Sequence, residues 1–245
     1  MTSLRGTAPF WLDPECQDIT FPDVELALKE PDGLLAIGGD LSSVRLLSAY
    51  ESGIFPWYGP GQPILWWSPD PRMVLRPGSL HISRSLKKTL RKRVFRVTFD
   101  EAFEAVIGNC AGPRKNASGT WITQEMSTAY LELHRQGYAH SVECWQDNLL
   151  VGGLYGVSIG RVFFGESMFA CASDASKVAM VYLAMQLYDW GFPLIDCQVH
   201  TPHLESLGAI LLPRKEFTRI LHAACALASP PAPWRLERDF AFSGL

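Results

Sequence analysis

Two acidic residues stand in segments that are otherwise typical of buried β-strands. Glu166 lies within residues 162–169 and Asp196 within residues 194–199, and most of their neighbours are apolar or small. A carboxylate is rarely buried unless it has a partner or a chemical role, because its desolvation is costly. Both residues are therefore candidates for acid–base chemistry or for positioning a substrate.

The segment around Asp196 also contains a thiol. Alternation along residues 194–199 predicts that Asp196 and Gln198 share one face of the strand, with Ile195, Cys197 and Val199 on the other. No histidine neighbour is available to activate Cys197 as a nucleophile. We therefore place the chemistry on the face of Asp196 and Gln198.

Other catalytic motifs are weak. His200 and His203 lack a third ligand at a useful spacing, which argues against a metal site. The sequence contains no Gly-x-x-x-x-Gly-Lys-[Ser/Thr] motif for nucleotide phosphates. Gly152, Gly153 and Gly156 do not have dinucleotide-binding spacing, and glycines within a strand more often mark a bulge or the close approach of another backbone. We expect neither a metal nor a cofactor.

A basic stripe follows the aromatic part of the chain. No acidic residue occurs from Arg72 to Phe99, and Ser83 predicts the N-cap of a helix extending to about residue 93. Like charges at helical spacing repel, so the stripe is either a solvated face or a binding face for a polyanion. Its concentration in a chain of net charge −3 favours RNA or phosphate contact. The candidate residues are Arg84, Lys87, Lys88, Arg91, Lys92 and Arg93.

Five aromatic residues fall within residues 54–67, among several prolines. Proline fixes the backbone and removes hydrogen-bond donors, so this segment is not a helix and makes a poor regular strand. It is either a packed joint between two domains or a wall of a pocket for an apolar group, and both can hold.

The bulk properties are those of a soluble globular protein. The 245 residues are 47% hydrophobic and 19% charged, which allows a sizeable core. No segment is typical of a signal peptide or a membrane span. The six cysteines are scattered, as in a reduced cytoplasmic protein.

The predicted elements give an α+β chain, with a small N-terminal α/β domain at residues 1–70 and a larger domain at residues 71–245. The larger domain has a mixed, mainly antiparallel sheet flanked by helices. Its order matches the layout of N-acetyltransferases, a fold-level analogy. Residues 168–174 contain no glycine, so the pyrophosphate loop of an acetyl-CoA enzyme is missing. Strands are predicted at 34–37, 73–75, 95–99, 139–145, 149–158, 161–169, 194–199 and 209–212, and helices at 42–51, 83–93, 101–109, 123–136, 175–190, 202–207 and 216–228.

Two segments are predicted to lack regular structure. Residues 112–119 are a polar loop with two further basic residues, and residues 229–245 are an extended strap over the surface.

Six motifs together resemble the bacterial leucyl/phenylalanyl-tRNA–protein transferase family. The resemblance covers residues 21–212, in the right order and with high specificity. The motifs are Phe55-Pro-Trp-Tyr58, Leu65-Trp-Trp-Ser-Pro-Asp-Pro-Arg72, His81-Ile-Ser-Arg-Ser85, Gly119-Thr-Trp-Ile-Thr123, Gly165-Glu-Ser-Met-Phe169 and Leu194-Ile-Asp-Cys-Gln-Val199.

The resemblance implies an aminoacyltransferase with an acetyltransferase-like larger domain. It implies transfer of Leu or Phe, and less readily Met, from aminoacyl-tRNA to proteins that begin with Arg or Lys. The products enter N-degron proteolysis. Because aminoacyl-tRNA is an activated ester, no ATP is required. We expect a cytoplasmic monomer that does not bind membranes.

The resemblance also implies roles for particular residues. Asp196 and Gln198 lie at the reacting centre, where Asp196 either draws a proton from the attacking amine through Gln198 or only orients that amine. Glu166 holds the cationic acceptor residue, or is a structural partner for a basic residue of the neighbouring strands. Tyr50 and Tyr130 are candidates for contact with the tRNA 3′ end. The aminoacyl pocket is expected to comprise Trp57, Trp121, Leu154, Phe163, Met168, Met180, Leu183 and Ile195.

Two other function classes stay open at this point. A small-molecule acyltransferase is disfavoured by the missing glycine loop. A tRNA- or peptide-binding module without catalysis would be favoured if changes at Asp196 left turnover untouched.

Overall fold

The computed structural model describes residues 8–16, 18–112, 121–237 and 240. The first part of the chain forms a four-stranded sheet in the order β1-β2-β4-β3, with one α-helix crossing it. Its elements are β1 Phe10–Leu12, β2 Leu34–Gly38, α1 Ser43–Glu51, β3 Phe55–Pro56 and β4 Leu65–Trp67.

The rest of the described chain forms a seven-stranded sheet in the order β11-β5-β10-β9-β8-β7-β6. Only β9 and β10 pair in parallel within it, and α5 is the crossover between them. The α+β class and the mixed, mainly antiparallel sheet flanked by helices are thus confirmed. The elements are β5 Arg72–Leu75, α2 Arg84–Lys92, β6 Arg96–Phe99, α3 Phe103–Cys110, α4 Gln124–Arg135, β7 Ala139–Gln146, β8 Leu149–Ile159, β9 Val162–Ala170, α5 Ala175–Asp189, β10 Leu194–Gln198, α6 Pro202–Ser206, β11 Ile210–Leu212 and α7 Arg214–Cys225.

Polar side chains determine where several helices begin. The hydroxyls of Ser42, Ser83 and Thr123 accept hydrogen bonds from the backbone N–H three residues later, at the starts of α1, α2 and α4. Such caps satisfy donors that the first helical turn leaves free. The cap at Ser83 was predicted. Just before α1, Asp40 accepts from Ser42 N–H and pairs with Arg45.

The aromatic segment supplies both a buried core residue and part of a cavity wall, and its role as a joint between two domains stays a prediction. It forms the short strands β3 and β4, which pair with each other. Trp66 is fully buried in the core, while Trp57 is 43% exposed and faces a cavity. The predicted division at residue 70 falls in the link between the two sheets, and it stays a prediction because one hydrophobic cluster joins residues of both.

The seven-stranded sheet is covered on both faces. One face packs on α3, α4 and the four-stranded sheet, and the other packs on α2 and α5. Close contact with α5 explains a glycine in β8, because a Cβ at Gly152 would lie 2.5 Å from that of Ala175. The glycine therefore permits close approach of another element, as the sequence suggested.

The two segments predicted to be irregular have different outcomes. The predicted loop at residues 112–119 lies, except for residue 112, outside the described part of the chain. The tail up to residue 237 contains no helix or strand, as expected. It is not merely a surface strap, however, because Trp234 is buried to 1% exposure in the second cluster. In the described residues, no helix is long and apolar enough to span a bilayer.

Candidate active site

The candidate site lies where two parallel strands separate. Pairing between β9 and β10 runs from Val162 and Leu194 to Phe164 and Asp196 and ends there. Beyond this point each strand carries one extra residue relative to its other neighbour. These residues are Glu166 in β9, opposite β8, and Cys197 in β10, opposite β5.

Bulges of this kind redirect side chains and end regular pairing. After the bulge in β10, Gln198 adopts a left-handed backbone conformation with φ of 64°. Cys197, Gln198 and Val199 all line the same cavity. The strict alternation predicted for residues 194–199 therefore does not hold beyond Asp196.

A cavity of about 440 Å³ occupies the gap between the strands. Its walls are mostly apolar, and it includes eight of the side chains that the sequence analysis placed near the substrate. These are Trp57, Trp121, Leu154, Phe163, Glu166, Met168, Met180 and Ile195, and Gln198 lines it as well.

Glu166 is half-buried at the cavity wall and has three neutral partners. Its Oε1 accepts from Tyr50 Oη at 2.8 Å and from Gln198 Nε2 at 2.9 Å. Its Oε2 contacts Tyr130 Oη at 2.8 Å, and the two tyrosine hydroxyls lie 2.6 Å apart. Within the described residues, the carboxyl group has no cationic partner, contrary to the structural alternative that the sequence left open.

The number of protons available in this cluster indicates that Glu166 is protonated and neutral. Three oxygen–oxygen contacts join Glu166, Tyr50 and Tyr130, but the two hydroxyls supply only two protons. A proton on Glu166 lets all three contacts be hydrogen bonds. Desolvation raises the pKa of Glu166 to about 7, although its hydrogen bonds oppose the shift.

Asp196 is fully buried in an ion pair that the sequence analysis did not predict. Arg72 donates to it twice, from Nε to Oδ1 at 2.8 Å and from Nη2 to Oδ2 at 2.7 Å. Arg72 Nη1 also donates to the carbonyl of Gly53, and its guanidinium lies over the rings of Phe55 and Phe217. Both charged side chains are thereby satisfied away from water, as buried charges require.

Asp196 reaches the cavity only through its neighbour. Its Oδ1 accepts from the backbone N–H of Gln198 at 2.9 Å, but the side chain itself does not line the cavity. Gln198 and Glu166 face the cavity in this part of the site. A direct contact of Asp196 with the attacking amine is therefore not supported, and the predicted role of Asp196 at the reacting centre stays a prediction.

Three further placements differ from the sequence analysis. Leu183 is fully buried in the second hydrophobic cluster and does not line the cavity. Tyr50 and Tyr130 are also fully buried, so they support Glu166 from behind instead of contacting a tRNA end. Burial and the nearby Glu166 raise the pKa of both tyrosines well above the usual range, which keeps them neutral donors.

Some residues of the site were missed altogether. Arg72, like Asp196, is a charged residue in an otherwise apolar strand, and this pattern could have identified it. Thr201, His203 and Leu204 of the α6 region line the cavity, which only the tertiary fold shows. Among the described residues, no three His, Cys, Asp or Glu side chains are grouped to hold a metal ion.

The basic stripe lies on α2 as predicted. Leu86 and Leu90 are buried beneath it, and Lys87 is half-buried. Arg93 closes the helix in the left-handed conformation. The exposed members of the set are Arg84, Lys88, Arg91, Lys92 and Arg93.

Comparison with known families gives two matches in chain order. The family model described as leucyl/phenylalanyl-tRNA protein transferase matches residues 74–222, and the model of that family's N-terminal domain matches residues 39–70. The larger match contains both bulged strands and the whole of α2.

Curated relatives that bear the name leucyl/phenylalanyl-tRNA–protein transferase agree with this sequence along most of its length. One from Azotobacter vinelandii is 62% identical over 203 residues, 83% of this chain and 90% of that protein. One from Cellvibrio japonicus is 60% identical over 211 residues, 86% and 89% of the two chains. One from Stutzerimonas stutzeri is 58% identical over 226 residues, 92% and 98% of the two chains.

Among solved structures, a GCN5-related N-acetyltransferase from Kribbella flavida is 14% identical, covers 69% of this chain and 59% of its own, and has a TM-score of 0.35. That similarity is too low to support an argument. The family models and the curated relatives do not depend on it: the chain belongs to the leucyl/phenylalanyl-tRNA–protein transferase family and is an aminoacyltransferase.

Proposed function

We propose that this enzyme transfers Leu or Phe, and also Met, from aminoacyl-tRNA to the α-amino group of proteins that begin with Arg or Lys. The reaction needs no ATP, and its products enter N-degron proteolysis. The observation that carries the proposal is the position of the apolar cavity, which opens beside Glu166 and Gln198 where β9 and β10 separate.

The cavity suits the donor side chain. Met168 and Met180 supply flexible, polarisable walls that can adapt to Leu, Phe or Met, and Trp57 and Trp121 supply rigid aromatic ones. An apolar pocket discriminates by only about 1–3 kcal/mol per methylene. Exclusion of β-branched donors therefore depends on the shape of the cavity.

Glu166 suits the acceptor. An N-terminal Arg or Lys brings a cationic side chain, and Glu166 is the only carboxylate among the cavity-lining residues of the described chain. Tyr50, Tyr130 and Gln198 fix its position. Binding of a cation favours the ionised carboxylate, so acceptor binding releases the proton that the empty site retains.

The chemistry is aminolysis of an ester. The acceptor amine attacks the ester carbonyl carbon, the bond to the ribose oxygen breaks, and the proton lost by the amine ends on that oxygen. Gln198 has no useful basicity, and both oxygens of Asp196 already accept hydrogen bonds. This favours catalysis by positioning, in which Asp196 orients Gln198, over a proton relay through Asp196.

The basic face of α2 suits the tRNA. Phosphate contacts supply affinity without reading sequence, and donors that carry different amino acids on different tRNAs require such recognition. We propose that Arg84, Lys87, Lys88, Arg91, Lys92 and Arg93 form this contact.

A transfer assay tests the function directly. Labelled Leu on tRNA, without ATP, should label a peptide that begins with Arg and leave the same peptide beginning with Ala unlabelled, because only the first offers Glu166 a cationic side chain. Equal labelling of both peptides would refute the acceptor specificity. Absence of label on either would refute the proposed transfer.

The charge of Glu166 should appear in the pH profile. Below about pH 7 the carboxyl group is protonated and neutral, and above it the group is anionic. The kcat/KM for the Arg peptide should therefore rise as pH increases through about 7. The acceptor amine itself ionises near pH 8, so the Glu166→Gln enzyme serves as the control. It should retain only the later rise, and an unchanged profile would exclude Glu166 from acceptor binding.

Asp196 and Arg72 should be separable by a double substitution. Asp196→Ala leaves Arg72 buried without its partner and should cost about 3–5 kcal/mol of folding stability. Adding Arg72→Met should recover much of that stability in chemical denaturation. The double variant should still bind tRNA but turn over about 100-fold more slowly, because Gln198 loses its orienting acceptor. Full turnover in the double variant would show that Asp196 has no part in catalysis.

Charge reversal on α2 should act on binding alone. Lys88→Glu with Arg91→Glu should weaken tRNA binding roughly tenfold or more. It should also reduce the slope of log binding affinity against log salt concentration by about 2. Lys215→Glu with Arg219→Glu makes the same charge change on exposed positions of α7 and should have little effect. Equal losses in the two variants would assign the effect to net charge and not to this helix.

A further inference from the structure

The C-terminal segment is fastened to the sheet and to α5 by hydrogen bonds at several points. Ser229 Oγ accepts from Gly160 N–H at 2.9 Å. The backbone N–H of Trp234 donates to Asp100 Oδ2 at 2.7 Å. The backbone N–H of Glu237 donates to Gln186 Oε1 at 3.1 Å. Because residues 229–237 contain no helix or strand, these bonds and the side chains of the segment determine where it lies.

Trp234 is the main anchor among those side chains. Its ring stacks on His140 with centroids 3.8 Å apart and planes 3° from parallel. Trp190 and Phe192 pack against it in edge-to-face geometry, with ring centroids 5.0 Å and 6.3 Å from that of Trp234. Phe163 is a further aromatic neighbour, with ring centroids 5.8 Å apart.

Phe163 connects this anchor to the site, because its side chain is both a neighbour of Trp234 and a wall of the cavity. A Cβ at Gly156 would lie 2.6 Å from the Phe163 ring, so the backbone of β8 confines the ring on one side. Trp234 confines it on another. Protein interiors are close-packed, so a ring held in this way moves only when a neighbour is made smaller.

We infer that Trp234 sets the depth of the aminoacyl cavity by holding Phe163, and thereby sets the preference between Leu and Phe donors. Trp234 is a positioning residue here, since it contacts no substrate. The inference rests on the proposed function, in which this cavity receives the donor side chain. A smaller residue at position 234 lets the Phe163 ring withdraw, which deepens the cavity and favours the larger donor.

The test compares two donors on one enzyme preparation. A single tRNA is charged with either Leu or Phe, and kcat/KM is measured for each with the same Arg peptide. In Trp234→Leu the ratio of kcat/KM for the Phe donor to kcat/KM for the Leu donor should rise about tenfold. This is the size of the discrimination that one methylene gives in an apolar pocket. Trp234→Phe should give a smaller rise. The ratio does not depend on the fraction of folded enzyme, which affects both donors alike.

Two features of the molecule sharpen the comparison. Trp234 Nε1 has no hydrogen-bond partner in the described chain, so the substitution removes packing and leaves the backbone bond to Asp100 intact. Phe240→Leu is the matched control, because Phe240 is buried in the same tail but packs on Tyr182, which does not line the cavity. Its ratio should stay within about twofold of the unmodified enzyme.

The outcomes separate this inference from the function on which it rests. An unmodified enzyme that transfers neither amino acid refutes the proposed function. An unmodified enzyme that transfers both, with an unchanged ratio in the two Trp234 variants, refutes the inference and leaves Trp234 as a packing residue. A rise of equal size in Phe240→Leu also refutes it, because loosening of the tail would then be sufficient.

Discussion

The buried pair of Arg72 and Asp196 is the contact on which most of the structure around the site depends. Arg72 begins the first strand of the large sheet, and its guanidinium simultaneously binds Asp196, the carbonyl of Gly53 and two aromatic rings. It thus joins the four-stranded sheet, the central strand β10 and α7 at one point. Because both charges are shielded from water, neither partner can be lost without leaving the other uncompensated.

Two successive hydrogen bonds connect that pair to the cavity. Asp196 fixes the backbone of Gln198, and the Gln198 amide donates to Glu166. Tyr50 and Tyr130 complete this network behind Glu166. All of its oxygen–oxygen contacts are hydrogen bonds when Glu166 carries a proton. A network of this kind is rigid when every member has its partner. The apolar walls therefore meet a polar group whose position is fixed but whose charge can change near neutral pH.

The sequence pattern predicted the helices and the strands of the seven-stranded sheet well, but it missed β1, β3 and β4 of the four-stranded sheet. It predicted poorly which residues of different elements contact each other. Periodicity and caps located the helices to within a few residues, and two acids in apolar strands directed attention to the right pair of strands. Alternation then failed at Gln198, because the bulge at Cys197 and a left-handed backbone bring Gln198 to the cavity on which Cys197 and Val199 also lie. Arg72, the partner of Asp196, lies 124 residues away in the sequence, and local sequence patterns do not predict contacts over such a separation. Trp234 was likewise assigned to the surface, since a segment without periodicity gives no sign that it is buried.

The two adjacent bulges have a consequence for how this sheet can vary. Removing the extra residue from β9 or β10 would restore regular pairing with β8 or β5 and would favour continued pairing between β9 and β10. The outcome would be a better-formed sheet in which neighbouring strands lie about 4.8 Å apart, with no room for an amino-acid side chain between them. Greater local order here is incompatible with an open site. The most irregular part of the sheet is thus one that stabilising substitutions cannot improve without closing it, an instance of the trade-off between stability and activity.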